Sequence, residues 1–262
     1  ICRDSEGNGR LSSMSGHSKW ASIKHKKAAI DAKRGKIFTR IIRELTIAAK
    51  LGGGDAEGNP RLRSAIAAAK DVNMPAKNID NAIKKGAGGD GSVTYDEVVY
   101  EGRGPQGVAF IVEATTDNRN RTTGEIRHLF SKYNGELGNP GTVAFLFKKQ
   151  GTIMIEREGA DEDKIMEVAL EAGADDIRSE EDGFVVVTEP QVLPAVREAL
   201  EKAGVAIVSA EVTNEPSMTK RLEGKDAETC LKLFSFLDEH EDVKSVSANY
   251  DIDDEIIEKM GL

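Results

Sequence analysis

The sequence predicts a multidomain α plus α/β protein: an N-terminal helical bundle followed by two ferredoxin-like α+β sandwich domains, the third domain inserted into the second. Three observations carry that expectation. Apolar residues recur at helical spacing up to about residue 90, and strand-like runs with interspersed helices follow. Between residues 150 and 213 the order of elements is β-α-β-β-α-β, the split unit of the ferredoxin-like sandwich. The strands before residue 150 and the elements after residue 213 each make an incomplete sheet alone and complete one together. The expected divisions are a basic helical domain over 14–90, a discontinuous α/β middle domain over 91–149 and 214–262, and an inserted ferredoxin-like domain over 150–213.

In chain order, residues 1–13 (ICRDSEGNGRLSS) are polar, Gly/Ser-rich and unpatterned, and Met14 follows. They read as a leader outside the fold, either an expression scar or upstream read-through before a natural start at Met14, or a disordered tail. GKIFTRIIRELTIAAKLGGG places Ile37, Ile41, Leu45 and Ala48 on one helical face, and Gly52 to Gly54 end it. In GNPRLRSAIAAAKDV, Asn59 caps, Pro60 opens the first turn, and Leu62, Ile66 and Ala69 form the stripe. NMPAKNIDNAIKKGAGG repeats the device, with Asn73 as candidate cap, Pro75 opening, Ile79 and Ile83 inward and Gly86 stopping it. GAGGDGS, Gly86–Ser92, then reads as a linker.

YDEVVYEGRG and GVAFIVEATTD follow as strands joined by a Gly-Pro turn around Gly104–Gly107. NRNRTTGEIRHLFSKYNG is an amphipathic helix with Ile126, Leu129, Phe130 and Tyr133 inward, and GTVAFLFKK is a further strand. The inserted unit comprises GTIMIERE, DEDKIMEVALEAG, DDIRS, GFVVVTE, PQVLPAVREALEKAG and VAIVSAEVT. A short MTKRL segment, the helix KDAETCLKLFSFLDEH and a final strand VKSVSANYD complete the chain. DIDDE, Asp251–Glu255, reads as a solvated acidic end, because it lacks the glycine and distal glutamate of a calcium loop.

Charge is unevenly distributed along these divisions. The chain carries net −9, yet residues 14–90 carry +9, residues 91–150 are neutral and residues 151–262 carry −18. A basic head on an acidic body is the signature of a polyanion-binding protein. The two cysteines, Cys2 and Cys230, make no disulfide framework and fit a reducing cytosol. No run approaches the length of a membrane span, so no membrane association is expected.

Motifs of catalysis are missing: GxSxG, HExxH and GxxxxGK[ST] do not occur. The glycine-rich stretches follow helices rather than strands, so they read as linkers rather than phosphate cradles. His17 and His25 lie eight residues apart with no cysteine nearby, and His128 and His240 fall on other elements. No metal, cofactor or catalytic residue is therefore expected, and the numerous carboxylates read as solvated faces.

The strongest chemical signal is SGHSKWASIKHKK, Ser15 to Lys27, with four lysines, two histidines and the single tryptophan of the chain. Lys19, Lys24, Lys26 and Lys27 interleave with His17, Trp20 and His25, and Lys33, Arg34 and Lys36 follow. Lysines neutralise phosphates, while Trp and His offer flat faces for an unpaired base. The alternative is that Trp20 anchors the segment to the bundle among solvated lysines. A segment so poor in apolar groups gains its order from a partner. The second signal is TTDNRNRTTGE, where Asn118, Arg119, Asn120 and Arg121 open a helix. Arginines there oppose the helix dipole unless a bound phosphate or a carboxylate partner offsets them; the other reading is an ordinary cap with solvated arginines.

SGHSKWASIKHKK, YEGRGPQGVAFIVEATTDNRNRT and LGNPGTVAF resemble the YebC family of probable transcriptional regulators, related to the mitochondrial translational activator of cytochrome c oxidase. The resemblance spans Met14 to Asp251. It implies three domains, a cytoplasmic and non-enzymatic protein, and nucleic-acid contact for His17, Lys19, Trp20, Lys24, His25, Lys26 and Lys27. Arg119 and Arg121 follow as a weaker surface. Family members are classed as DNA-binding transcriptional regulators, and some are regarded as translation factors at the ribosome. The function expected is thus nucleic-acid-binding regulation of gene expression. Two alternatives stand beside it: a translational activator contacting ribosomal RNA through the basic arm, and an adaptor binding a protein partner through the acidic domains. A lysine-heavy arm suits phosphate contact better than bidentate guanine reading, which keeps RNA level with DNA.

Overall fold

The computed structural model describes residues 35–88, 95–180 and 182–260. Among the described residues three helices form the head: α1 (residues 35–52), α2 (Pro60–Asp71) and α3 (Ala76–Ala87). Their narrow stripes meet in a small core of Leu45, Ala48, Leu62, Ala69, Met74 and Ile79. Asn59 caps α2, accepting from Leu62 N at 3.1 Å, and its amide also donates to Ala48 O at 2.7 Å and Gly53 O at 2.9 Å. One buried side chain thus satisfies orphan groups at the end of α1 and the start of α2.

Two glycine and asparagine expectations change. Asn73 does not cap α3; it sits at φ 55° just beyond α2, where Met74 N bonds Ala69 O and Asn73 N bonds Lys70 O. That is the left-handed helix ending, which asparagine tolerates. Gly86 does not stop α3 but lies within it. A Cβ there would stand 2.2 Å from Thr46 O, so the glycine is required by the close approach of α3 to α1.

The first sandwich contains β1 (Asp96–Arg103), β2 (Ala109–Thr116), α4 (Arg119–Lys132), β3 (Glu136–Leu137), α7 (Gly224–Glu239) and β9 (Val243–Ala248). The second, inserted between β3 and α7, contains β4 (Phe147–Glu156), α5 (Glu162–Glu171), β5 (Asp176–Ser179), β6 (Gly183–Thr188), α6 (Leu193–Lys202) and β7 (Ile207–Pro216). Its antiparallel order β5-β6-β4-β7 is that of the ferredoxin-like unit. The first sandwich has the expected layers but different wiring: it begins with the β1–β2 hairpin and its order is β3-β1-β2-β9. A hairpin at its start displaces the β-α-β opening that the ferredoxin-like order requires.

Alternate residues of the first sheet, Val98, Tyr100, Phe110 and Val112, face α4 and α7, with Phe110 edge-on to Phe130 at 5.7 Å. The opposite face carries Ala109 and Ile111, covered by Val143, Leu146 and Phe147. The strands expected at 141–149 and 151–158 are instead one strand, β4, preceded by a 3-10 turn over Ala144–Leu146. The cause is Glu101. Its buried carboxylate accepts the amides of Gly141 at 2.7 Å and of Val143 and Ala144 at 2.8 Å, which removes them from any sheet ladder. The acidic end continues as β10 (Tyr250–Asp251), paired with β8 (Lys220–Arg221), and α8 (Asp254–Lys259), which buries Ile257. Among the described residues no helix is long and apolar enough to cross a membrane.

Burial pushes the Glu101 carboxyl up, and the three amides more than offset it, so it titrates below the ordinary carboxylate range. Its contribution to stability is present above the unfolded carboxylate value and disappears as pH falls through the lower folded value. Glu101→Gln keeps one acceptor but turns an amide toward the loop donors, at a cost of roughly 2 kcal/mol at neutral pH. Urea denaturation should show an earlier midpoint with unchanged slope. The wild type should lose stability below about pH 5, and the variant should lose less of it over that range.

Candidate nucleic-acid interface

Of the ten head residues singled out in the sequence, His17, Lys19, Trp20, Lys24, His25, Lys26, Lys27, Lys33 and Arg34 lie outside the described residues. Lys36 is on α1, and its ammonium donates to Asp238 O at 2.6 Å. Arg40, one turn on, donates to the same carbonyl and approaches the Asp238 carboxylate at 3.4 Å. Asp238 belongs to the last turn of α7, where carbonyls lack helical partners and the dipole favours cations. Lys36 is therefore engaged inside the molecule rather than free for the phosphate contact expected of it.

Arg43 continues the same face of α1 and reaches the centre of the junction. It donates to Glu241 O at 2.6 Å, Thr115 O at 3.3 Å and Asp242 Oδ1 at 2.9 Å. Asp242 has a side chain only 2% exposed. It also accepts from Arg121 at 2.7 Å, Thr122 Oγ1 at 2.6 Å and Thr116 Oγ1 at 3.2 Å. Burial raises the Asp242 carboxyl, but the bonds from Thr122 and Arg121 and the charges of Arg43 and Arg121 win, holding it below the usual range. The head is thus bound to the β2–α4 corner and the α7–β9 loop by one shared carboxylate. A second set reinforces it: Glu44 binds Arg61 at 2.7 Å and Lys244 at 3.0 Å, and Arg61 reaches Glu97 at 2.7 Å.

The α4 start behaves as the sequence foresaw in part. Asn118 caps it, accepting from Arg121 N at 3.1 Å. Arg121 finds carboxylate partners, Asp242 and Asp117, which offset its place near the positive helix end. Arg119 and Asn120 are exposed, and Arg119 has no side-chain partner among the described residues. Lys77, Lys84 and Lys85 on α3 are likewise exposed and unpaired among them. Their spacing is visible in NMPAKNIDNAIKKGAGG, on the polar face opposite the Ile79 and Ile83 stripe. Asp242 could not be found so, because HEDVKS is an ordinary polar strand approach and its partners come from α1, β2 and α4.

Beside the latch, an open depression of about 730 Å³ runs along the α4–α7 seam, lined by Arg121, Glu125, His128 and His240. His240 Nδ1 accepts from Asp242 N at 3.1 Å, so Nε2 carries the hydrogen and donates to Glu125 Oε2 at 2.9 Å. Glu125, His240 and Asp242 lie close enough to share an ion. The donor set does not suit one: the histidine lone pair is used at Nδ1, and Asp242 is saturated by two guanidiniums and two hydroxyls.

The fold and this junction define a class: a three-part α+β protein with a basic helical head bound by ion pairs to an acidic, nested pair of sandwiches. The chain belongs to the TACO1/YebC family. The model of the TACO1/YebC protein N-terminal domain matches residues 18–89, and that of the TACO1/YebC second and third domain matches residues 95–250. A probable transcriptional regulatory protein of Syntrophus aciditrophicus is 56% identical over 94% of this chain and 99% of its own. One from Geobacter sulfurreducens is 53% identical over 94% of this chain and all of its own. The crystal structure of a conserved hypothetical protein from Aquifex aeolicus superposes with a TM-score of 0.82 at 47% identity, covering 90% of this chain and 97% of that one.

Removing one partner from a buried ion pair leaves the others uncompensated. Asp242→Ala should therefore destabilise the protein by about 3 kcal/mol, and a double-mutant cycle with Arg43→Ala should show strong coupling between the two positions. Thermal or urea unfolding of the four proteins reads both quantities.

Proposed function

We propose that this chain is a nucleic-acid-binding transcriptional regulator without enzymatic activity, acting in the cytoplasm. The observation that carries the reading is that relatives matching it over nearly their full length bear the name of probable transcriptional regulatory proteins. The distribution of charge supports it. Lys36, Arg40 and Arg43 on α1 are engaged by the body, whereas Lys77, Lys84 and Lys85 on α3 stay exposed and add to the basic Ser15–Lys27 run of the sequence. Lysines of this kind neutralise phosphates, and the −18 of residues 151–262 turns the body away from a polyanion. Arg119, with Asn120 beside it, adds a further exposed cation for the same partner.

The test is affinity for duplex DNA and for structured RNA as a function of salt. The logarithmic slope should correspond to roughly four to eight phosphate contacts at ~0.9 each on duplex DNA. A Lys24→Ala, Lys26→Ala, Lys27→Ala protein should lose affinity and lower the slope by about 2–3. Unchanged binding would remove the arm from the docking surface. Cellular crosslinking that recovers ribosomal RNA without promoter enrichment would replace the transcriptional reading with the translational one.

A further inference from the structure

We infer that the outer face of α4 and α7 is a stacking platform for an unpaired base of single-stranded nucleic acid, separate from the basic arm. This rests on the nucleic-acid reading above and adds a site to it. Tyr133, at the end of α4, and Phe236, on α7, lie face to face with centroids 5.4 Å apart and planes 18° apart. Tyr133 rests on the core of the first sandwich; Phe236 is outside that core and 42% exposed. A phenylalanine on the solvent side of an amphipathic helix gains little from folding, yet here its ring is fixed in orientation by the tyrosine beneath it.

The surroundings select an anionic, aromatic partner. Lys132 Nζ stands 5.3 Å from the Tyr133 centroid and 5.4 Å from that of Phe236. Lys232 lies one turn before Phe236, and His128 one turn before Lys132; both are exposed and without a side-chain partner among the described residues. Glu239, one turn beyond Phe236, bounds the surface on the side of the acidic depression, which leaves the lysine side for a phosphate backbone. A duplex conceals its base faces, whereas a single strand offers a flat ring to the platform and phosphates to Lys132 and Lys232 within the same nucleotide step. An apolar protein partner would meet a ring rimmed by ammonium groups that have no carboxylate partner among the described residues, which charge complementarity disfavours.

The full chain tests this with a short unstructured oligonucleotide, made as RNA and as DNA. Trp20 is the only tryptophan, so the Trp20→Phe, Phe236→Trp protein moves the sole indole to the platform. Its fluorescence should be quenched as the strand binds, with the same midpoint as anisotropy of the labelled strand, and the arm that quenches names the polymer. Phe236→Ala should weaken binding roughly 5- to 150-fold. Lys132→Ala with Lys232→Ala should lower the salt slope by about 1.4. If Phe236→Ala fails to fold, the indole reporter decides alone. Unquenched binding, with wild-type affinity in Phe236→Ala and loss only in the arm variant, would overturn the platform and leave the broader reading intact. Failure of the wild type to bind either strand or any duplex would overturn both.

Discussion

Asp242 could not be buried alone, since taking a carboxylate out of water costs several kcal/mol unless its charge and lone pairs are met. Here they are met from three directions: Arg43 from the head, Arg121 and Thr122 from α4, and Thr116 from the end of β2. That requirement sets the position of the head. α1 must bring Arg43 to the α7–β9 loop, and the same helix face then delivers Lys36 and Arg40 to the last turn of α7. The cap of α4 is fixed by the same group, because Arg121 is both the amide that Asn118 receives and a guanidinium that Asp242 binds.

Cations of the head consequently have two roles that total charge does not separate. Lys36, Arg40 and Arg43 on α1, and Arg61, compensate carboxylates and helix-end carbonyls inside the molecule. Those on α3 face solvent. A net charge of +9 over residues 14–90 therefore overstates what the head offers a polyanion.

The helices of the head, the layers of both sandwiches and the α4 cap were legible in the sequence, because periodicity, caps and Gly/Pro signals are local. What was illegible depends on long-range partners. Glu101 is an unremarkable acid within a strand until its register with Ile111 turns it toward the 141–144 loop, whose amides it then takes. Gly86 looks like a helix stop until α1 is packed against it. Lys36 looks like any lysine of a basic segment until the end of α7 arrives beside it. Even the wiring of the first sandwich was hidden, since layer content follows from element type but strand order does not.

The nested sandwich has a consequence for the history of such a chain. β4 and β7 leave the first sandwich as neighbours in register, with Phe147 opposite Pro216, and Glu113 of β2 meets both through Lys149 at 3.1 Å and Asn214 at 3.4 Å. Entry and exit of the inserted unit are thus about one strand spacing apart, ~5 Å. Such a unit can be gained, lost or exchanged by recombination at two adjacent points, with a tight turn closing the gap.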